Sequence, residues 1–410
     1  MISASPDRVR KAKWALRATF FFMGVAVSAT SARMAEVQHH VGASDALFGY
    51  SIMVGNIGAI IGNLFGNKIL RRMGTRFLAQ LVMFGIVASQ ISYGFARELW
   101  QIPLIAFVAG ASYSLMNVAC NSQGTMIQQN MGRSLMPSFH GSWSVGAFSA
   151  SLLAGLIAKH VALEWHLLAN VLVALCGCLV VSRALLPSSA DQENKASNAG
   201  VKSHQPLPRH IKQFIFWVAF GSLLATITET SVADWSSIFL NNNLKIPIGL
   251  NTLGYTSFVL PQILGRFTMG KLIDKHGIPR VIKYGGIIGG CGYVGGLLIA
   301  DAIHVHHKIA ALVAMCIAYG ILGYGISPMP PSYASVAGSI PGIPTSRGIA
   351  RMAVIASSGF LLGRFIISTL AGLIGLQYAL LFPASTLIVS GVISYRLNHD
   401  RIRAPALIDH

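Results

Sequence analysis

The sequence predicts an all-α integral membrane protein of twelve transmembrane helices, arranged as two parallel six-helix repeats. Three observations predict it. Of 410 residues, 53% are hydrophobic and only 11% charged, whereas soluble domains carry charge on about a quarter of their residues, so most of this chain has lipid as its solvent. Apolar runs recur at close to the ~20 residues a helix needs to cross a bilayer core. One stretch also occurs twice: Gly49 to Gly74 and Gly254 to Gly277 both open on Gly-Tyr and a hydroxyl residue, cross a bilayer's worth of apolar residues, and close in a charged turn ending in glycine.

Taken in order, spans one to six fall at 15 to 38, 46 to 66, 76 to 96, 101 to 123, 137 to 158 and 163 to 186. Spans seven to twelve fall at 212 to 239, 249 to 270, 280 to 300, 308 to 329, 347 to 372 and 374 to 396. Between the halves, 187 to 210 is rich in Ser, Asn, Lys and Pro and reads as a flexible cytoplasmic linker. The expected domains are thus 1–186, the linker 187–210, and 211–410. Leu153-Ala-Gly-Leu-Ile157 in span five recurs as Leu370-Ala-Gly-Leu-Ile374 in span eleven, a second echo of the duplication. Gly58, Gly62 and Gly66 share one face of span two, and Gly285, Gly289, Gly292 and Gly296 do similar work in span nine, where small residues let helices approach closely.

The net charge of +18 sits between apolar runs, so it reads as the positive-inside bias of a membrane protein rather than as a nucleic-acid surface. With both termini in the cytoplasm, of 31 Lys and Arg only Arg33, Arg97, Lys159, Lys245 and Lys308 fall outside and Arg364 falls within a span; the other 25 are cytoplasmic. The first apolar run lacks a small-residue cleavage site and reads as a retained span. Five cysteines, all within apolar runs, imply neither a disulfide framework nor a zinc site. Gly290-x-Gly292-x-x-Gly295 matches a dinucleotide fingerprint in letters but lacks the strand before it and the acid after it. His304-x-His306-His307 in the loop after span nine is a weak metal-binding pattern in a short exposed loop; elsewhere no catalytic triad, phosphate loop or paired metal ligands emerge, so neither an enzyme nor a resident metal or cofactor is expected.

Ionisable side chains inside spans cost about 2.5–3.5 kcal/mol each and usually face a cavity or a partner. They are Arg33 and Glu36 late in span one, Glu229 and Asp234 in span seven, Arg266 at the inner end of span eight, and Arg364 in span eleven. Ser222, Thr226, Glu229 and Thr230 share a helical face, making span seven the most polar. Glu229 and Asp234 read as substrate contacts or proton carriers, with an interfacial anchor as the other reading for Asp234 and Trp235. Arg364 requires a carboxylate, a carbonyl cluster or an anionic group of the substrate, which makes it a substrate-site candidate, and with carboxylates scarce Glu229 or Asp234 is the expected structural partner. Tyr113, Asn117 and Asn121 recur every four residues in span four, a polar stripe that suits either a hydroxyl-rich solute or interhelical hydrogen bonding. His140, with Trp143 three residues on, opens span five and is a candidate proton relay or a helix-end group.

The second copy of the repeat ends in Gly270-x-x-x-Asp274-Lys275-x-Gly277, which resembles the cytoplasmic loop signature of the major facilitator superfamily; the first copy has Asn67 and Arg71 at the corresponding places. Twelve spans as six plus six, a central linker and this loop resemble that superfamily across nearly the whole chain. Asn117-x-x-x-Asn121, the Met-x-x-Phe139-His140-Gly pattern and Ala233-Asp234-Trp235-Ser are similar to bacterial inner-membrane permeases related to fucose permeases. The resemblance implies a monomeric multi-pass transporter of the bacterial inner membrane. Its partners would be a small polar solute, protons and the lipid bilayer, and it would work by alternating access around spans one, four, seven and ten. It also implies that Arg33 matches an arginine of the subgroup, and that Asp274 latches onto a helix N-terminus in the other half near Pro137. Two departures stand out: span one lacks an internal acid, carrying only Glu36 near its outer end, and Arg364 stands where the subgroup tends to have proline. An exporter of drugs and a non-transporting receptor are the alternative functions.

Overall fold

The computed structural model describes residues 5–132, 135–187, 208–340 and 345–397, and helix is the only regular secondary structure among them. The chain divides into two compact units, Met1–His204 and Gln205–His410. Most of the expected linker, 188–207, lies outside the described residues.

The first unit contains α1 (Pro6–Ala32), α2 (Met34–His40), α3 (Asp45–Met73), α4 (Thr75–Phe95), α5 (Gln101–Met131), α6 (Met136–Ile157) and α7 (Leu163–Ser182). The second contains α8 (Arg209–Asn242), α9 (Leu253–His276), α10 (Ile278–Ile303), α11 (Lys308–Ile326), α12 (Met329–Gly338), α13 (Thr345–Ile374), α14 (Leu376–Ala379) and α15 (Leu381–Ile393). Twelve spans result once α1 with α2, α11 with α12, and α14 with α15 are each read as one interrupted crossing. Among the described residues nine segments are long and apolar enough by themselves to cross a membrane. Of the other three, α6 opens among serines, α9 ends in a charge run, and α13 contributes the shorter apolar stretch Leu361–Ile374.

The duplication seen in the sequence is a duplication of packing. In the first unit α3 and α4 each pack on α5, α1 packs on α6 and α7, and α4 packs on α7. The second unit repeats every one of these pairings, with α9 and α10 on α11, α8 on α13 and α15, and α10 on α15. The two charged turns also share one backbone conformation: Gly74 has φ 79° and ψ 156°, Gly277 has φ 80° and ψ 154°, and each donates its N–H to the carbonyl four residues back. This region of positive φ disfavours side chains, which is why both copies end in glycine. Leu-Ala-Gly-Leu-Ile closes a helix in both places, ending α6 at Ile157 and α13 at Ile374.

The glycine faces close the helix pairs. Gly58, Gly62 and Gly66 lie against Phe107, Ala111 and Val118 of α5, while Gly285, Gly289, Gly292 and Gly296 lie against α11. Gly290 packs on α15 at Ala384 and Gly292 on α11 at Ile321, so these two of the fingerprint-like glycines serve helix packing, while Gly295 has open space where a Cβ would stand. The first unit's interior is a cluster including Leu16, Phe20, Met23, Met83, Met116, Phe139 and Val171. Outward, Leu64, Leu156, Phe267 and Leu373 are exposed, an apolar surface that fits lipid rather than water.

Most helices overrun the apolar runs at their charged ends. α3 continues to Met73, α5 to Met131 and α9 to His276, each ending at a glycine with positive φ. Hydropathy marks the hydrocarbon slab, whereas helix length is set by where the backbone meets a cap.

Candidate functional site

Most of the candidate residues fall into one cluster in each unit, and each cluster is described within its own unit. In the second unit they gather on α8. Thr226 and Thr230 return their hydroxyls to the carbonyls of Ser222 and Thr226, at 2.9 Å each, which satisfies them within the helix. Glu229 instead reaches α9, accepting a hydrogen bond from Gln262 Nε2 at 2.9 Å and lying 3.6 Å from Arg266 Nη2. Gln262 and Arg266 stand four residues apart, one turn along the same face, so both meet one carboxylate. Gln262 is buried, while the Glu229 side chain is 32% exposed; of the two α8 carboxylates it is the one open to a visitor.

Asp234, 4% exposed, is gripped by Arg364 from α13: Nε donates to Oδ2 and Nη2 donates to Oδ1 at 2.9 Å. This is the two-point fork that a planar guanidinium makes with a carboxylate. Gly359 and Gly363 permit it, because a Cβ at Gly359 would stand 2.9 Å from the Leu223 carbonyl oxygen and one at Gly363 would stand 3.2 Å from Ile227. Arg364 therefore pairs with Asp234, and Glu229 goes to Arg266. The neighbouring Trp235 is fully buried, and its indole N–H has no hydrogen-bond partner among the described residues; it is a core residue rather than an interfacial anchor.

In the first unit, Tyr113, Asn117 and Asn121 are all half-buried on α5. The Asn117 amide donates to the Tyr113 carbonyl at 3.0 Å, and the buried side-chain oxygen of Asn121 has no partner among the described residues. Gln123, beside the stripe, is structural: its amide donates to Thr75 Oγ1 and the Leu186 carbonyl and accepts from the Leu186 N–H. On α6, His140 is exposed and meets the Phe20 ring edge-on at 5.1 Å. Trp143 is half-buried with its indole N–H unpartnered among the described residues. The stripe, His140 and Trp143 lie on two helices that pack on each other.

Arg33 stands apart from both clusters. It interrupts the first span between α1 and α2 and is fully buried. Its Nε donates to Glu36 Oε1 at 2.7 Å, Nη1 lies 3.2 Å from His166 Nδ1, and Nη2 donates to Glu36 and to the Val161 carbonyl. An arginine has no acceptor to offer, so Nδ1 of His166 accepts. Arg33 thereby clamps the end of span one to the start of span six and presents no open face. In the loop motif, Gly270 has nothing within 4 Å of where a Cβ would stand, and Asp274, Lys275 and Gly277 are exposed.

Comparison with known proteins decides the family. The model described as Major Facilitator Superfamily matches residues 18–345. The chain belongs to the major facilitator superfamily. It is 25% identical to a membrane protein, MosC, of Rhizobium meliloti, over 94% of this chain and 90% of that one. It is 24% identical to an uncharacterised transporter of the superfamily from Yersinia pestis, over 88% and 90%. Among solved structures it shares its fold with the nucleoside transporter NupG, at TM-score 0.70 and 12% identity over 94% and 98% of the two chains. A D-xylose-proton symporter matches equally, at TM-score 0.70 and 13% identity over 94% and 97%. The superfamily fold places α8 as the first span of the second repeat, and it is there that Glu229 and Asp234 sit.

Sequence reasoning did not find Gln262, and it noted Arg266 only as one charge among several. Their one-turn spacing inside the duplicated stretch was the available signal.

Proposed function

We propose that this member of the superfamily is a secondary active transporter that moves a small polar solute by alternating access, with proton movement coupled through Glu229. It is a monomer in a bacterial inner membrane with both termini cytoplasmic, built as 1–186 and 211–410 joined by the linker 187–210. Family membership supports a transporter, and the lysine and arginine bias of the loops supports the orientation.

One observation carries the reading: a partly exposed carboxylate at the middle of a membrane-crossing helix, held by an amide and a guanidinium from the next span. A charge at that depth is costly, and the three groups form a set that rearranges with one proton. Ionised, Glu229 engages Arg266 and Gln262; protonated, it releases Arg266 to an anionic or hydroxyl-bearing group of the solute. Within the first unit taken by itself, Tyr113, Asn117, Asn121, His140 and Trp143 are the proposed polar and ring contacts for a solute. The buried Asp234–Arg364 pair, beside Trp235, ties α13 to α8 and holds the frame of the site, and Arg33 fixes the outer end of span one. Asp274 and Lys275, between Gly270 and Gly277, act in the conformational change.

The test is a thermal-shift screen of the purified full chain against sugars, nucleosides, amino acids, organic acids and lipophilic drugs, at pH 5.5 and 7.5. A solute that binds the folded state raises its melting temperature. Stabilisation by a polar solute that depends on pH in the wild type, and loses that dependence in Glu229→Gln, is the expected result. Stabilisation by lipophilic compounds alone would replace this reading with drug export.

A further inference from the structure

Within the second unit, where α8 begins, an open cavity of about 480 Å³ is lined by Arg209, Lys212, Gln213, Phe216, Trp217 and Arg396. Three of these are cations and none is a carboxylate. Arg396, on the short helix Ser394–Leu397, holds its guanidinium 5.2 Å from the Trp217 ring centre and 4.9 Å from that of Tyr395, and its Nε donates to the Tyr395 hydroxyl at 2.7 Å. A guanidinium stacked on rings keeps its N–H groups in its own plane, the arrangement that meets two oxygens of one phosphate group. None of the carboxylates discussed above engages it.

The polarity along α8 is graded. Arg209 and Lys212 come first, then Phe216 and Trp217, then Phe220, whose ring stacks on Phe216 at 5.8 Å and 6°. Eleven residues of helix rise about 16 Å, the distance from a headgroup layer into hydrocarbon. Phe216 and Tyr395 are 49% and 47% exposed, and Trp217 and Tyr395 are the two residue types that mark the membrane–water interface. We propose that this cavity binds the phosphodiester headgroup of an anionic phospholipid, with Arg209, Lys212 and Arg396 around the phosphate and an acyl chain lying along Phe216 and Phe220.

The other repeat supports the interfacial placement and shows what makes the cavity distinct. Trp14 precedes Trp217 by 203 residues, the same interval that separates Gly74 from Gly277. It is 58% exposed, with Lys13 and Arg17 4.8 and 4.6 Å from its ring centre. Both repeats thus place a cation on a tryptophan at the start of their first span. In the second repeat that cation, Arg396, comes from the far end of the helical set, and together with Arg209 and Lys212 it lines the cavity. Neutralising a cation near anionic lipid costs about 1 kcal/mol, which is about fivefold in binding.

The full chain in a neutral detergent is titrated with phosphatidylglycerol, phosphatidylcholine or inorganic phosphate, reading melting temperature, with lipid retained per protein by native mass spectrometry. The proposal expects phosphatidylglycerol to bind and stabilise and phosphatidylcholine not to. Arg396→Gln and the double variant Arg209→Gln/Lys212→Gln should weaken phosphatidylglycerol by about fivefold per lost cation. Lys283→Gln, which removes an exposed charge at the start of α10 outside the cavity, and the charge-retaining Lys212→Arg should bind as the wild type does. Cavity variants that retain phosphatidylglycerol like the wild type, or equal binding of phosphatidylcholine, would overturn the site. Stabilisation by inorganic phosphate alone would overturn the lipid as its occupant.

Discussion

Removing one half of the Asp234–Arg364 pair should destabilise the second unit far more than removing both halves would lead one to expect from simple addition. Breaking a buried pair from one side costs about 3–5 kcal/mol, because the surviving charge is left without a counter-charge. The Arg364 side chain is 21% exposed against 6% for Asp234, so water reaches one partner, and the lower end, about 3 kcal/mol, applies. For a unit of about 200 residues this is a fall in melting temperature of roughly 6–12 °C. Asp234→Ala and Arg364→Ala should each show it. The double variant should fall by little more than either single, which gives a coupling of about 2–3 kcal/mol. Arg364→Lys keeps the charge but loses the two-point fork, and should lie between wild type and Arg364→Ala. The assay is thermal unfolding of the purified full chain for all five proteins under one set of conditions. Losses in the double variant equal to the sum of the singles would show that the two side chains do not act as a pair.

The remaining predictions concern backbone and surface. Gly58→Ala, whose Cβ would be forced onto the Phe107 carbonyl of α5, should cost about 1–3 kcal/mol by overpacking, whereas Gly270→Ala, with open space at that point, should leave the melting temperature level or raise it. Gly277→Ala places a side chain at φ 80° and should cost about 1–3 kcal/mol. Asp274→Asn, at an exposed position, should stay within about 0.5 kcal/mol of wild type in stability while altering transport; unchanged transport would dismiss the latch. His40 closes α2 past residue 38, where the first apolar run ends, and has its pKa lowered from 6.5 by burial and then by the Arg97 cation, whose Nη1 lies 3.0 Å from Nδ1. The unfolded chain therefore takes up this proton first, so stability is whole above pH 6.5 and declines as pH falls below it. His40→Gln should flatten that acid slope in thermal unfolding across pH 7.5 to 5.

Much of the fold was legible because lipid simplifies the code. A helix crossing hydrocarbon must be apolar for about 20 residues, so the runs announced themselves, and the paired stretches at Gly49 and Gly254 announced the repeat. The partner of Arg364 was half legible: scarcity narrowed it to two carboxylates, but the choice of Asp234 depends on the depth at which Gly359 and Gly363 let α13 settle on α8. The break at Arg33 was hidden because the span was read as one apolar window of about 20 residues, in which a charge near the outer end marks depth and not a change of helix axis. The split of span ten at Ser327 and Pro328, between α11 and α12, escaped for the same reason. Gln262 escaped because an amide inside an apolar helix reads as packing until its neighbour across the interface is known.

The most direct test of the central claim is solute and proton movement in one preparation. Proteoliposomes holding the full chain and a trapped pH-sensitive dye would be given the polar solute identified by the thermal screen, with wild type and Glu229→Gln compared. The account predicts that the wild type moves solute together with a pH change inside the vesicle. It predicts that Glu229→Gln loses the pH change while still exchanging labelled for unlabelled solute. Coupled proton movement that persists undiminished in Glu229→Gln would contradict it.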